Sequence, residues 1–439
     1  MNGRLGITVM PEWIQSEGID AILENLMRCG ATAVATSPYV MAPSDAVDAG
    51  REPPIDAGSG KVRLLDRDLW GKRELRCITA PSFIPDKVLY KEQRYRPSEP
   101  TDLTRSEGAV VARFLERARE AGFEVQLQVQ AAIPPGYRVQ FGGPLPEDQP
   151  RLPDGRILGN RVDKNGSLAS MAILDYARAL VADIARAYPM VDAIRVDWPE
   201  YPPYSLLSWF FDFSQHATSA MRARGLDVEA MQRDSLALMS EPWRFLEEGL
   251  LTRPGFAMLQ RFKSTLACEL ISALREALPS HMRLVAHAFP EPWCQLSGAD
   301  PARMVQAGAD EVAIKLYTMH WPMMLADYRD AMSPGYNATD LSDRLRRLFD
   351  VGGEGVLRYP EPEEVHPVGR LAQIRKIEAA IATGAPVMPA AHSYGPVDDA
   401  AMRIETAWKA GGKAVWVNRY GYLGDAKLDA LGSMMAKRS

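Results

Sequence analysis

Two rhythms alternate along this chain. Short β-branched runs give way to stretches in which apolar positions return every three or four residues. The first run covers residues 5–10. It is followed by Ile19, Ile22, Leu23, Leu26 and Met27 at the i, i+3, i+4, i+7, i+8 spacing of one helix face, with Ser16 as the expected N-cap and Gly30 as the stop. The same order then repeats. Strands are expected at 33–37, 123–130, 191–198, 283–289, 311–317, 386–392 and 414–419, and the best-marked helices at 107–121, 167–188 and 426–436. Eight strand-then-helix units predict a closed (β/α)8 barrel, the TIM-barrel form of the α/β class. A doubly wound sheet would show a glycine-rich phosphate turn after an early strand, and neither G-x-G-x-x-G nor G-x-x-x-x-G-K occurs.

Within strands the alternation predicts which side chains enter the barrel. Val125, Leu127 and Val129 are expected to meet the helices, and Gln126, Gln128 and Gln130 to point inward. Ile194 and Val196 alternate in the same way with Arg195 and Asp197, and Ile314 and Leu316 with Lys315 and Tyr317. Inward polar rows are costly unless hydrogen-bonded, so they mark either a wet barrel mouth or a satisfied internal network.

Length adds a second signal. The chain has 439 residues, roughly 190 more than a minimal barrel. The surplus is expected in insertions at about 39–104, 131–166, 199–280 and 318–367, each after a strand's C-terminal end, within a single domain spanning 1–439. Connections at the opposite face are short. Function in such barrels sits on the face that carries the long loops.

Composition narrows the classes. With 51 Lys+Arg against 56 Asp+Glu, the net charge of −5 gives no electrostatic case for nucleic acid. No apolar run approaches the ~18–20 residues of a membrane span. The N-terminal sequence shows no secretory pattern. Four scattered cysteines (Cys29, Cys77, Cys268, Cys294) fit reduced thiols in a cytoplasmic protein. No cofactor is expected, nor a membrane or nucleic-acid partner. A homo-oligomer stays open, since the strand-2 insertion could serve as a dimer arm.

The chemistry-bearing segment runs from Val191 to Tyr204, VDAIRVDWPEYPPY. Asp197 ends the fourth strand on the inward side, with Arg195 two residues earlier and Glu200 just beyond. A carboxylate near a cation stays ionised, which suits a nucleophile or charge stabiliser. An internal Arg195–Asp197 salt bridge is the structural alternative. The aromatic residues Trp198, Tyr201, Tyr204, Trp293, Tyr317, Trp321, Tyr394 and Tyr420 crowd the same face, and about half are expected to line a pocket. Lys315, His392, Asn418 and Arg419 stand at other strand ends. His287, His320 and His392 fall near the ends of strands five to seven, yet no His-x-His or H-E-x-x-H occurs and no metal ligand is assigned. His216, His281 and His366 are expected in loops or at the surface.

The run YPMVDAIRVDWPEYP resembles the strand-4 signature of glycoside-hydrolase-like TIM-barrel proteins. It is also similar to the Gly-x-Arg-x-Asp motif of the α-amylase family, with Ala193 in place of the glycine. The resemblance implies a nucleophile at Asp197 and a strand-5 acid/base, for which Glu291 in HAFPEPW is the nearest match. The family's strand-7 His-Asp pair becomes His392-Ser393. Glu291, between Phe289 and Trp293, has the more apolar neighbours, and Glu200 is the alternative acid.

The expected function is therefore an enzyme hydrolysing glycosidic bonds in a soluble carbohydrate. Asp197, Glu291 and Glu200 are its catalytic candidates. Arg195, Trp198, Gln128, Gln130, His287, Trp293, Lys315, Tyr317, His392, Asn418 and Arg419 are its substrate-binding candidates. A metal-dependent TIM-barrel hydrolase or isomerase and a non-catalytic sugar-binding barrel are the alternatives.

Overall fold

The computed structural model describes residues 3–55, 62–136, 142–159, 161, 163–334 and 338–436. Eleven strands are present among them: β1 (Arg4–Thr8), β2 (Ala33–Thr36), β3 (Tyr39–Pro43), β4 (Gly50–Glu52), β5 (Leu75–Pro81), β6 (Glu124–Gln130), β7 (Ala193–Asp197), β8 (Arg283–Ala288), β9 (Glu311–Leu316), β10 (Val387–His392) and β11 (Ala414–Asn418). Eight of them close a parallel barrel in the order β1-β2-β6-β7-β8-β9-β10-β11, and β11 returns to β1. The (β/α)8 expectation holds strand by strand. β3, β5 and β4 form a separate antiparallel sheet inside the strand-2 insertion, which the alternation pattern did not reveal.

The barrel bore explains several small residues. Ala33, Ala35, Ala193, Ala313 and Ala390 line it with Val285, Met388 and Trp416 as a cluster distinct from the apolar layer between strands and helices. These alanines leave volume for two large side chains, Trp416 and the guanidinium of Arg195, stacked 3.8 Å from ring centroid to carbon. Gly6 completes the fit, because a Cβ there would lie 2.1 Å from the Trp416 ring. Trp416 Nε1 donates to Thr8 Oγ1 at 2.8 Å and is thereby held in rotation. Below this layer the N-terminal end of the barrel is closed by ions: Arg4 bridges Glu124 (2.8 Å) and Glu311 (2.7 Å), and Arg283 also bonds Glu124.

The outer layer follows the expected helices with local changes. The first helical region is two helices, Pro11–Glu17 and Ile19–Arg28, broken at Gly18 (φ 89°). Ser16 is thus inside a helix and caps nothing. Its hydroxyl accepts from Trp70 N at 2.9 Å and ties the strand-2 insertion to the barrel. Gly30 does mark the end, in the left-handed region at φ 73°. The expected 107–121 helix is Ala109–Glu120, and an additional short helix, Asp102–Glu107, precedes it across Gly108. At Gly108 a side chain would strike the Thr104 carbonyl oxygen at 2.4 Å. No helix among the described residues is long and apolar enough to cross a membrane.

Candidate active site

β7 delivers the site. Its register puts Arg195 beside Gln128 and Val285, and Asp197 beside Gln130, so both charged side chains point into the bore at successive levels. After Asp197 the chain reverses at Trp198, whose φ of 52° is unusual for a residue bearing a side chain. Asn165, fully buried, holds this turn by donating Nδ2 to the carbonyls of Trp198 (2.9 Å) and Glu200 (2.7 Å). The reversal returns Glu200 toward the mouth instead of letting the chain run out to solvent.

The two carboxylates share one ammonium. Lys315 on β9 lies 3.1 Å from Asp197 Oδ1 and 2.9 Å from Glu200 Oε1, over the Phe289 ring at 4.7 Å. Asp197 Oδ1 also accepts from Trp198 N (3.0 Å) and contacts His287 Nδ1 (3.0 Å). Among the described residues its Oδ2 has only a long contact with Gln128 Nε2 at 3.5 Å. The side chain of Asp197 is 14% exposed and that of Glu200 is wholly covered. Glu200 Oε2 has no hydrogen-bond partner among the described residues.

Electrostatics drives the pair apart. Burial by itself would raise the Asp197 carboxyl, but Lys315 and then His287 outweigh it and hold the group well below the usual carboxylate range. For Glu200 the balance reverses: burial exceeds the attraction of Lys315, Asp197 and Asp163 add like charge, and the carboxyl is pushed up to about 7. Burial lowers His287 to about 4 against the pull of Asp197, so it is neutral near pH 7. Arg195 falls to about 10 for the same reason and keeps its charge.

An aromatic collar surrounds the opening. Trp198 meets Tyr204 edge-on at 5.9 Å, and Tyr204 meets Phe289 (5.5 Å) and His320 (5.4 Å). Tyr317 lies against His320 (5.9 Å) and His392 (5.4 Å), and Tyr359 links His320 to Tyr394. Tyr317 is held beside Asn418, and burial with the nearby Asp197 raises its phenol. Tyr204, Tyr317 and Asn418 remain half-buried at the rim.

Several sequence expectations are redistributed. Glu291 is not brought to Asp197: its carboxylate accepts from Cys294 Sγ (2.7 Å) and from Gln295 in its own turn, and its carbonyl accepts from Lys376 (2.6 Å) on an outer helix. Trp293 is fully buried, stacked on Phe349 at 5.2 Å, and packs helices instead of lining the mouth. Trp321 joins it there, 5.5 Å away. Arg195 has no exposed surface and reaches Gln126 and His287, so it supports the site from below. Gln126 is part of that buried network, while Gln128 touches Asp197 and Gln130 stands half-buried at the rim. Arg419 turns to Glu52 and Glu12 and fastens β4 to the barrel end. Tyr420 bonds Glu17 and Asn25 on the first helices. His366 is buried, 2.7 Å from Thr318 Oγ1, and is no surface residue. No group of three or more His, Cys, Asp or Glu among the described residues is arranged to hold a metal.

Three residues were missed in sequence: Asn165, Trp416 and Tyr359. Asn165 lies in an irregular segment that carries no period. Trp416 did carry a signal, a large inward residue opposite Gly6 and several alanines.

No protein-family description matches the chain, and no curated protein matches it. Solved structures do. A β-galactosidase from the psychrophilic Marinomonas ef1 aligns over 99% of this chain and 59% of its own, at 11% identity and TM-score 0.46. The chain therefore spans under two thirds of that enzyme. A chitinase from Rhizomucor miehei aligns over 98% of this chain and 99% of its own, at 11% identity and TM-score 0.43. A class V chitinase from Pseudomonas fluorescens aligns over 99% of both chains, at 13% identity and TM-score 0.43.

Proposed function

We propose that the chain is a hydrolase of glycosidic bonds in a soluble carbohydrate, with Asp197 as the ionised carboxylate and Glu200 as the proton donor. The observation that carries this reading is the opposed titration of two carboxyl groups joined by one lysine at the open end of the barrel. Such a split is how acid and base roles are divided between like groups. Two oxygens at 3.1 and 2.9 Å from one nitrogen are no more than about 6 Å apart. This bound, which holds for the two lysine-bound oxygens, accommodates the ~5–5.5 Å carboxyl separation of retaining enzymes.

The atoms divide the work in a specific way. Three donors occupy Asp197 Oδ1, leaving Oδ2 as the nucleophilic or charge-stabilising oxygen. Lys315 occupies Glu200 Oε1, leaving Oε2 for the proton. Its transfer requires the substrate to displace the cover over Oε2. The half-buried rings of Tyr204 and Tyr317 stand at the rim for a sugar, with Asn418 and Gln130 as polar contacts, while Trp198 is buried behind Tyr204. The four cysteines are all free, which supports a reducing, cytoplasmic setting.

The test is turnover of a panel of 4-nitrophenyl glycosides and soluble oligosaccharides, followed by Asp197→Asn and Glu200→Gln on whichever substrate is cleaved. Loss of roughly 10²–10⁴-fold in kcat is expected from Glu200→Gln, and at least as much from Asp197→Asn. Retained turnover in either variant overturns its role. The complete burial of Glu200 favours one second reading, a sugar-binding barrel without hydrolysis. Saturable oligosaccharide binding with no product over long incubation would select it.

A further inference from the structure

We propose that Arg195 is a positioning residue that locks His287 in a single neutral tautomer, with the proton on Nδ1 directed at Asp197. The argument is one of hydrogen-bond chemistry. Arg195 Nη2 lies 3.1 Å from His287 Nε2. A guanidinium has only donors, so this contact is a hydrogen bond only if Nε2 presents its lone pair. A neutral imidazole with an accepting Nε2 carries its hydrogen on Nδ1, and Nδ1 stands 3.0 Å from Asp197 Oδ1, an acceptor. The imidazolium would set N–H against N–H at the Arg195 side. Both ends of the chain therefore agree on one protonation state.

The guanidinium is itself fixed. Nη1 donates to Gln126 Oε1 at 2.9 Å, and its face lies 3.8 Å over Trp416, which Thr8 holds in turn. The charged groups facing His287 are Asp197 and Arg195 from β7 and Lys315 from β9. Two of the three are cations, which supports a neutral ring, as does its titration near pH 4. Asp197 Oδ1 thus receives a permanent, directed N–H, and Oδ2 stays the oxygen left for chemistry. The value of this arrangement to catalysis rests on the role proposed for Asp197; the tautomer does not.

The experiment is a histidine-selective ¹⁵N spectrum of the full-length protein without substrate, with the His287 signals assigned by their disappearance in His287→Gln. At pH 7 we expect a protonated Nδ1 and an unprotonated Nε2. Arg195→Met leaves Nδ1–H directed at Asp197 but frees Nε2 to take a second proton, so the His287 midpoint should rise by about one pH unit or more, and Arg195→Lys, which keeps a cationic donor, should bring it back toward the wild-type value. An Nε2–H tautomer or an imidazolium in the wild type at pH 7 overturns the proposal, as does an unchanged His287 midpoint across a pH 3.5–7 titration of folded Arg195→Met. If Arg195→Met does not fold, the wild-type spectrum alone decides. A protein that cleaves no glycoside can still show the tautomer, so failure of the proposed activity and failure of this inference are separate results.

Discussion

A carboxyl group beside a buried lysine is pulled toward ionisation by the ammonium and away from it by lost water. Asp197 and Glu200 show the two outcomes three residues apart. Asp197 has further donors in His287 and the Trp198 N–H, and remains partly open to solvent. Among the described residues Glu200 has Lys315 alone, with one oxygen unpartnered and no exposure. If Glu200 supplies the proton, activity belongs to its protonated form. The rate should then fall about tenfold per pH unit above its pKa near 7. Asp197, held low, places no limb near neutrality, so the acidic limb falls to His287 near pH 4. The check is kcat/KM from pH 3.5 to 9.5 on a cleaved glycoside. An alkaline limb that persists unchanged in residual Glu200→Gln activity would deny Glu200 the role. The sequence placed Asp197 and Glu200 together but preferred Glu291 as the acid, because its apolar neighbours were legible and its direction was not. Phe289 does face the site, over Lys315 at 4.7 Å, while Trp293 packs into the helix layer and Glu291 bonds its own turn.

At the scale of elements, strand parity was the most informative pattern, because each barrel strand has one face toward helices and one toward the bore. Inward Arg195, Asp197 and Lys315 follow directly from it. What parity cannot show is depth along the bore. Arg195 lies one level below Asp197 and is sealed under the site, so a residue read as a substrate contact is a support. The β3-β5-β4 sheet escaped for a related reason. Only Leu75–Pro81 alternates buried and exposed positions; Tyr39–Pro43 is a plain apolar run ending in proline, and Gly50–Glu52 is three residues with no apolar member. Its anchorage is tertiary, through Arg419 to Glu52 and Glu12, and through the Tyr39 hydroxyl donating to Glu12 at 2.7 Å. Two element-scale outcomes follow. Gly6→Ala drives a methyl into the Trp416 ring and should cost about 1–3 kcal/mol of stability, read as a lowered urea midpoint with unchanged slope. Pairing it with Trp416→Leu should recover part of that loss, and no recovery would mean the strain lies in the β1 backbone. Arg419→Met takes a cation away from the buried Glu52 and Glu12. A loss of about 3–5 kcal/mol is the usual cost of such a break, and limited proteolysis should show faster cutting within the strand-2 insertion.

For the whole molecule, the same site groups set how stability answers to pH, and their signs differ. Burial raises Glu200 from 4.5 to about 7, so between these values the folded chain binds more protons than the unfolded one. Through this group, stability grows as the pH falls across that window. His287 is lowered from 6.5 to about 4. The unfolded chain takes up its proton first, and the stability His287 contributes is complete above pH 6.5 and lost on the way down to about 4. Over most of the shared window the two contributions oppose each other, but burial also lowers His366 and His392 well below 6.5, so the wild-type curve should fall from pH 6.5 downward, with Glu200 blunting the fall. Below that, carboxylates with depressed values take over. Glu124 at the closed end of the barrel is one: burial would raise it, but Arg4 and Arg283 hold it low. Asp197 is another, held low by Lys315 and His287 against its own burial. Their contributions are present above the unfolded carboxylate range and disappear as the pH falls through their folded values, so a steep acid loss should begin below about pH 4.5. Glu200→Gln removes one side of the balance. Its urea midpoint should decline from pH 6.5 downward more steeply than that of the wild type, and the two curves should differ in slope between pH 6.5 and 4.5. Parallel curves would mean that Glu200 titrates in the folded protein as it does in the unfolded one. That result would remove the opposed pair on which the catalytic assignment stands.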